Sequence, residues 1–239
     1  MRLDELPRNY DRAAPWYVTA TDLVFERILR LRQYRDRTVD LLGELDGATV
    51  LDVGCGTGRN FPLLVRRVGE RGRIIGIDYS EGMLREARDK IASHGWHNVQ
   101  LIRGDAVKLE NVPEPVDAVV SAWCLGIVYD LEAALNRAVD VLRPGGRIAI
   151  MDFCRSRPDR GPLRWLYPTY SFVLKHAGID TGEDLDDAKL RAKWERGPGV
   201  LRARLDELHE ETYLQGCGLI LAGATTVHQR ASDREDEAS

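Results

Sequence analysis

One loop constrains this chain more than any other stretch: Val50-Leu51-Asp52-Val53-Gly54-Cys55-Gly56-Thr57-Gly58-Arg59-Asn60. A β-branched and apolar run carries an acid near its end, three alternating glycines follow, and a helix-like segment begins at Phe61. Glycine belongs where a backbone takes φ > 0 or comes into contact with a ligand. A glycine loop between a strand and a helix sets backbone N–H groups and the positive helix end beside whatever binds there. The spacing separates two ligand classes. A dinucleotide fingerprint is G-x-G-x-x-G, whose last glycine lets helix and strand close around a pyrophosphate. Here the spacing is G-x-G-x-G, and Asp52 stands two positions before the first glycine. A carboxylate at a strand end repels a pyrophosphate and suits a ligand that carries positive charge. A purely structural strand-to-helix turn also yields a glycine triplet, but it does not call for the acid.

The rest of the chain alternates. Residues 49–53 form the first strand and residues 60–68 its helix. Residues 73–78 are continuously apolar up to Asp78, as in parallel strands buried on both faces. Ser80 caps a helix whose core face is Met83, Leu84, Ala87 and Ile91. Strands follow at 99–102 and 117–122, then a helix with Leu131, Ala134, Leu135, Ala138 and Leu142 in register. Pro144-Gly145-Gly146 reads as a turn before a fifth strand at 147–153. The fold class is therefore α/β, a Rossmann-like doubly wound parallel sheet, with ligand residues gathered at the strands' carboxyl ends. After Arg155 the alternation stops. Residues 161–177 are rich in large apolar side chains, 183–196 read as a polar helix, and 204–214 with 218–226 read as a closing antiparallel hairpin. Upstream, residues 21–42 read as a helix with Leu23, Val24, Ile28 and Leu31 on one face, interrupted by Arg27, Arg30, Arg32, Arg35 and Arg37. Such arginines form a solvated face or lie on an anionic membrane.

Composition excludes several classes. With 239 residues, 44% hydrophobic and 30% charged, the chain can bury a substantial core. A net charge of −4 gives no general field for nucleic acid, and no basic groove signature or added recognition domain is present. Cys55, Cys124, Cys154 and Cys217 lie far apart without a C-x-x-C, which suggests neither a metal site nor a disulfide framework. The first residues lack an apolar signal region and no apolar run approaches about 18 residues, so a cytoplasmic location is expected.

The glycine loop resembles motif I of the class I S-adenosylmethionine (SAM) dependent methyltransferases, (D/E)-x-G-x-G-x-G. The resemblance runs on through Ile77-Asp78-Tyr79-Ser80-Glu81-Gly82-Met83-Leu84, through Gly104-Asp105-Ala106 and through Leu142-Arg143-Pro144-Gly145-Gly146. Near the start, Tyr10-Asp11-Arg12-Ala13-Ala14-Pro15-Trp16-Tyr17 is similar to the Y-D-x-x-A-x-x-Y element that opens the ubiquinone/menaquinone biosynthesis C-methyltransferases and related small-molecule and lipid methyltransferases. The resemblance implies SAM as cofactor, S-adenosylhomocysteine (SAH) as product, and no metal. It implies a cofactor site built from Tyr17, Asp52, Gly54, Cys55, Gly56, Gly58, Asn60, Asp78, Tyr79, Met83, Gly104, Asp105, Ala106, Ser121 and Trp123. Asp78 would accept from ribose hydroxyls, Tyr79 and Met83 would flank the adenine, and Asp105 with a neighbouring N–H would read its edge. The implied organisation is a helical lid over 1–42, a SAM-binding core over 43–154, an acceptor-side insert over 155–198, a C-terminal hairpin over 199–228 and a disordered tail over 229–239.

Methyl transfer from a sulfonium is an in-line displacement on a carbon already activated, so positioning and desolvation are the protein's main tasks. A general base is needed only when the acceptor must lose a proton, and the sequence carries no diagnostic one. Tyr10, Arg12, Tyr17, Asp152 and His176 are the candidates, with Arg155 beside them. The insert segment Leu166-Tyr167-Pro168-Thr169-Tyr170-Ser171-Phe172 resembles one that lines the acceptor pocket of quinone C-methyltransferases, whereas Val173-Leu174-Lys175-His176 and the acidic 180–187 run depart from that pattern. The expected acceptor is a lipophilic small molecule, an isoprenoid quinone or lipid. The alternatives are N-, O- or S-methylation of a polar small molecule or phospholipid headgroup, or a SAM-binding protein without turnover. A peripheral membrane contact and a homodimer both stay open.

Overall fold

Strand β1 (Thr49–Val53) buries Val50, Leu51, Asp52 and Val53 in succession, which a strand does only between neighbours and beneath helices on both sides. In the computed structural model, which describes residues 31–155, 161 and 187–227, it pairs in parallel with β2 (Arg73–Asp78) and with β4 (Val116–Ala122). Beyond β2 lies β3 (Val99–Arg103), and beyond β4 lies β5 (Leu142–Phe153), again parallel. Two antiparallel strands, β6 (Leu205–Tyr213) and β7 (Gly218–Thr225), complete the order β3-β2-β1-β4-β5-β7-β6. Strand order reverses between β1 and β4, where a doubly wound sheet opens its ligand crevice at the carboxyl ends.

Alternate strand residues feed two cores. Val50, Ile74, Ala118, Val120 and Ala149 meet α1 (Arg32–Asp40), α2 (Phe61–Val68) and α3 (Glu81–His94). Leu51, Ile75, Val119, Ile148 and Ile150 meet α4 (Leu131–Asp140) and α5 (Asp187–Arg202) on the other face. Both faces of the sheet are thus covered. Helix starts follow capping chemistry: the Ser80 hydroxyl accepts from the Met83 N–H (3.1 Å), and Asp130 accepts from the Ala133 N–H (3.0 Å).

Several expectations shift. The fifth strand begins at Leu142 rather than residue 147, because Leu142 pairs with Val116 and buries beside α4; Pro144-Gly145-Gly146 is a bulge within the strand. The last helix runs through Gly197-Pro198-Gly199 to Arg202, since Trp194 and Leu201 both bury and Gly197 packs on the Trp194 ring. Of the arginines read as one exposed face, Arg32 pairs with Asp36 and Arg37 with Glu211 at the surface, but Arg35 turns inward and is buried. Leu23, Val24 and Ile28, residues 162–177 and the tail at 229–239 lie outside the described residues.

Candidate functional site

The chain leaves β1 through Gly54, Gly56 and Gly58, all at positive φ (69°, 53° and 71°). The N–H groups of Gly54 and Cys55 donate to the Ile77 carbonyl (2.8 and 3.0 Å), and that of Gly56 donates to Asp78 Oδ2 (2.8 Å). A Cβ on Gly54 would sit 2.2 Å from Cys124 Sγ, whereas a Cβ on Gly56 would meet no described residue within 4 Å. The first glycine is demanded by packing; the middle one faces space that no described residue fills. Cys55 and Asn60 are buried, so Cys55 offers the crevice only its backbone.

Beneath this loop Asp52 is fully buried. Its Oδ1 accepts from Asn60 Nδ2 (2.8 Å), while its Oδ2 and the Asn60 Oδ1 have no hydrogen-bond partner among the described residues. Burial pushes the Asp52 carboxyl up to about 7, against the lowering pull of the Asn60 hydrogen bond and the Arg35 charge. Buried acceptors left unmatched are costly and rare. Lying beside an open glycine, they fit a positively charged, N–H-bearing group such as the one SAM carries.

The next two strand ends add further acids. Asp78, half-buried, accepts from the Gly56 N–H through Oδ2 and from the Ser80 N–H through Oδ1 (2.9 Å). Tyr79 beside it is exposed, and Met83 is buried in the first turn of α3. The Gly104 N–H donates to the Asp78 carbonyl, and a Cβ there would lie 2.8 Å from Ile77 Cδ1. Asp105 accepts from the Val107 N–H through Oδ1 (2.8 Å) and from the Tyr129 hydroxyl through Oδ2 (3.1 Å). Ala106 follows in the same turn.

On the other side of the crevice the ends of β4, β5 and β6 bring aromatic rings together. Trp123, at φ 56°, donates from Nε1 to the Tyr213 hydroxyl (2.9 Å), which donates in turn to the Asp152 carbonyl (3.1 Å). Tyr213 stacks on Tyr34 at 4.6 Å, Trp123 on Phe153 at 6.2 Å, and the Arg35 guanidinium lies 4.8 Å over the Trp123 ring. Burial pushes the Tyr213 hydroxyl well above its ordinary range. Ser121 is buried and its hydroxyl donates to the Val53 carbonyl (2.9 Å), lacing β4 to β1. Asp152 is also buried, and its two oxygens accept from the N–H groups of Gly126 (2.8 Å) and Phe153 (2.7 Å). Burial raises it to about 7 despite those hydrogen bonds. Arg155 is half-buried and its N–H donates to the Cys217 carbonyl.

The described chain thus brings Asp52, the glycine loop, Asn60, Asp78 and Asp105 to adjacent carboxyl ends, with Trp123 across from them. Tyr10, Arg12, Tyr17 and His176 lie outside the described residues. Sequence reasoning missed Arg35, Tyr129 and Tyr213. Leu31, Arg35 and Val39 stand at i, i+4 and i+8, a spacing that could have marked Arg35 as inward-facing. No comparable signal links Tyr213 to β4 or Tyr129 to β3. Among the described residues there is no cluster suited to a metal ion, and no helix is long and apolar enough to cross a membrane.

Comparison with known proteins agrees with this geometry. The family model for the ubiE/COQ5 methyltransferase family matches residues 17–197. The ubiquinone/menaquinone biosynthesis C-methyltransferase UbiE of Vibrio cholerae is 32% identical over 194 residues, covering 80% of this chain and 73% of that protein. The 2-phytyl-1,4-naphtoquinone methyltransferase of Thermosynechococcus vestitus is 32% identical over 179 residues, 71% of this chain and 75% of that protein. Among solved structures, a SAM-dependent methyltransferase from Aquifex aeolicus has the same fold, with a TM-score of 0.57 at 22% identity over 80% of this chain and 89% of the other. The chain belongs to the ubiE/COQ5 methyltransferase family and is a SAM-dependent methyltransferase.

Proposed function

We propose that this enzyme methylates a lipophilic, quinone-type small molecule. The observation that carries the reading is the partly exposed Trp123–Phe153 pair at the carboxyl ends of β4 and β5, across the crevice from the open face of Gly56. An aromatic wall of this kind favours a flat apolar acceptor over a charged one. The kinship with relatives named for quinone methylation supports the same class.

SAM supplies a methyl group already activated by a positively charged sulfur. Asp52, with its buried unmatched oxygen, would offset positive charge on the bound cofactor, directly or through a water. Asp78 would accept from the ribose hydroxyls, and Asp105 with the Ala106 N–H would read the adenine edge. Tyr79 and Met83 would flank the base. Trp123, braced by Tyr213 and Phe153, would hold the acceptor ring and exclude water, which is where positioning contributes most to such a transfer. An acceptor of this kind partitions into membranes, so the reading includes peripheral contact with a lipid surface.

The test is transfer of labelled methyl from SAM into a host extract split into organic and aqueous phases. Label in the organic phase, abolished when quinones are removed, is expected. Label confined to the aqueous phase would refute the lipophilic acceptor and favour a polar one.

A further inference from the structure

Among the described residues only Tyr79, Tyr129 and Val227 are large, apolar and exposed, and the first two stand beside the acids that end β2 and β3. Tyr129 is held from both sides. The preceding Val128 is buried and its carbonyl accepts from Lys193 Nζ (2.7 Å), while the following Asp130 caps α4. The tyrosine hydroxyl donates to one oxygen of Asp105, and the Val107 N–H donates to the other. A carboxylate gripped through a single oxygen can turn about its last bond; one gripped through both is fixed in plane. Each oxygen keeps a second lone pair, so Asp105 still accepts from an incoming N–H. One residue on, the Ala106 N–H donates to no described residue and is available to an acceptor.

A fixed acceptor beside a free donor matches the edge of adenine, which offers an amine donor and a ring-nitrogen acceptor. Hypoxanthine presents the reverse, a 6-oxo acceptor and an N–H donor, and would set its oxygen against the carboxylate. Building on the cofactor reading above, we infer that Tyr129 is a positioning residue for base selection: its hydroxyl locks the Asp105 carboxylate so that the site takes a 6-amino purine and rejects a 6-oxo purine. Partial desolvation, and then the Asp105 hydrogen bond, raise the hydroxyl's pKa above its ordinary value, in keeping with its role as donor.

The test is calorimetric binding of SAH and of its 6-oxo counterpart, S-inosylhomocysteine, to the wild type and to Tyr129→Phe. The phenylalanine keeps the ring and removes only the hydroxyl. Expected is a wild type that prefers SAH, and a variant that loses about 5-fold in SAH affinity while its affinity for the 6-oxo ligand changes by less than about 2-fold, so that discrimination falls. Equal losses for both ligands would mean a general structural effect and overturn the inference. Unchanged or tighter SAH binding would overturn it too, the latter by showing that the hydroxyl competes with the base. A wild type that binds neither ligand would instead overturn the cofactor assignment itself.

Discussion

Gly54 and Gly56 share a backbone conformation and differ in surroundings, so alanine at each separates what the loop does for the fold from what it does for the ligand. Forcing a side chain to positive φ costs about 1–2 kcal/mol at either position. At Gly54 the new Cβ would lie 2.2 Å from Cys124 Sγ and 2.3 Å from Cys124 Cβ. Rotating the thiol does not relieve an overlap with Cβ, so β1 and the β4 exit must move apart, which adds about 1–3 kcal/mol. The sum, about 2–5 kcal/mol, lowers the melting temperature of a domain of this size by about 4–20 °C. At Gly56 only the backbone cost applies, about 2–8 °C, but the methyl enters the space open above the loop. Gly56→Ala is therefore expected to melt closer to the wild type and to lose about 10-fold or more in SAH affinity. A double-mutant cycle isolates the contact: Gly54→Ala with Cys124→Gly should show a coupling of about 1 kcal/mol or more. Purely additive melting shifts would refute the packing argument. SAH binding by Gly56→Ala at wild-type strength would refute the placement of ligand over the middle glycine.

Three further outcomes follow from the site. Asp52 and Asp152 both have folded-state pKa values near 7, above the unfolded value, so the folded chain holds protons that the unfolded chain releases. Their contribution is fully present below about pH 4 and is lost as pH rises through about 7. Asp52→Asn should flatten that slope and raise the melting temperature at pH 8 while weakening SAH binding; an unchanged pH profile of stability would show that the carboxyl is not buried as described. Asp152→Ala strands the Gly126 and Phe153 N–H groups and should cost about 2–4 kcal/mol in urea unfolding; a loss below about 0.5 kcal/mol would remove Asp152 as the tie between β5 and the turn that holds Gly126. Trp123→Ala should cut turnover on a lipophilic acceptor at least several-fold with SAH affinity within about 2-fold, and full activity would eliminate the ring as the acceptor's wall.

The fold was legible because its signals are local. Apolar runs in 73–78, the Ser80 cap and the alternation of strands with amphipathic helices each report on a few neighbouring residues. Where the sequence misled, a distant partner decided. Pro144-Gly145-Gly146 has turn chemistry, yet the pairing of Leu142 with Val116 keeps the strand continuous through it. Gly197-Pro198-Gly199 has breaker chemistry, yet the burial of Trp194 and Leu201 carries the helix past it. On the candidate site, the acids Asp52, Asp78 and Asp105 announced themselves by register after three consecutive strands. Tyr129 and Tyr213 did not, because each reaches its partner across the sheet's end, 24 and 90 residues away in sequence.

The least comfortable local chemistry in the described chain gathers in one place. Among the described residues, Asp52 keeps an unmatched oxygen in full burial, Asn60 keeps another, and Trp123 holds a left-handed backbone angle that a bulky side chain rarely adopts. Each costs stability, of order 1–3 kcal/mol for the strained backbone alone, and none is required to close the sheet. They converge on the strand ends where β1 and β4 part. Their persistence there follows if the discomfort is relieved on binding: a positively charged donor group satisfies Asp52 and Asn60, and an acceptor packed on Trp123 uses the orientation its strained backbone imposes. SAH would stabilise the enzyme most at low pH only if the Asp52 proton were retained on binding. The expected result is the opposite: the melting shift induced by SAH grows from pH 6 to pH 8 as the carboxylate ionises. A shift that stays flat across that range in the wild type, and is matched by Asp52→Asn, would show that the buried acid serves the fold and not the ligand.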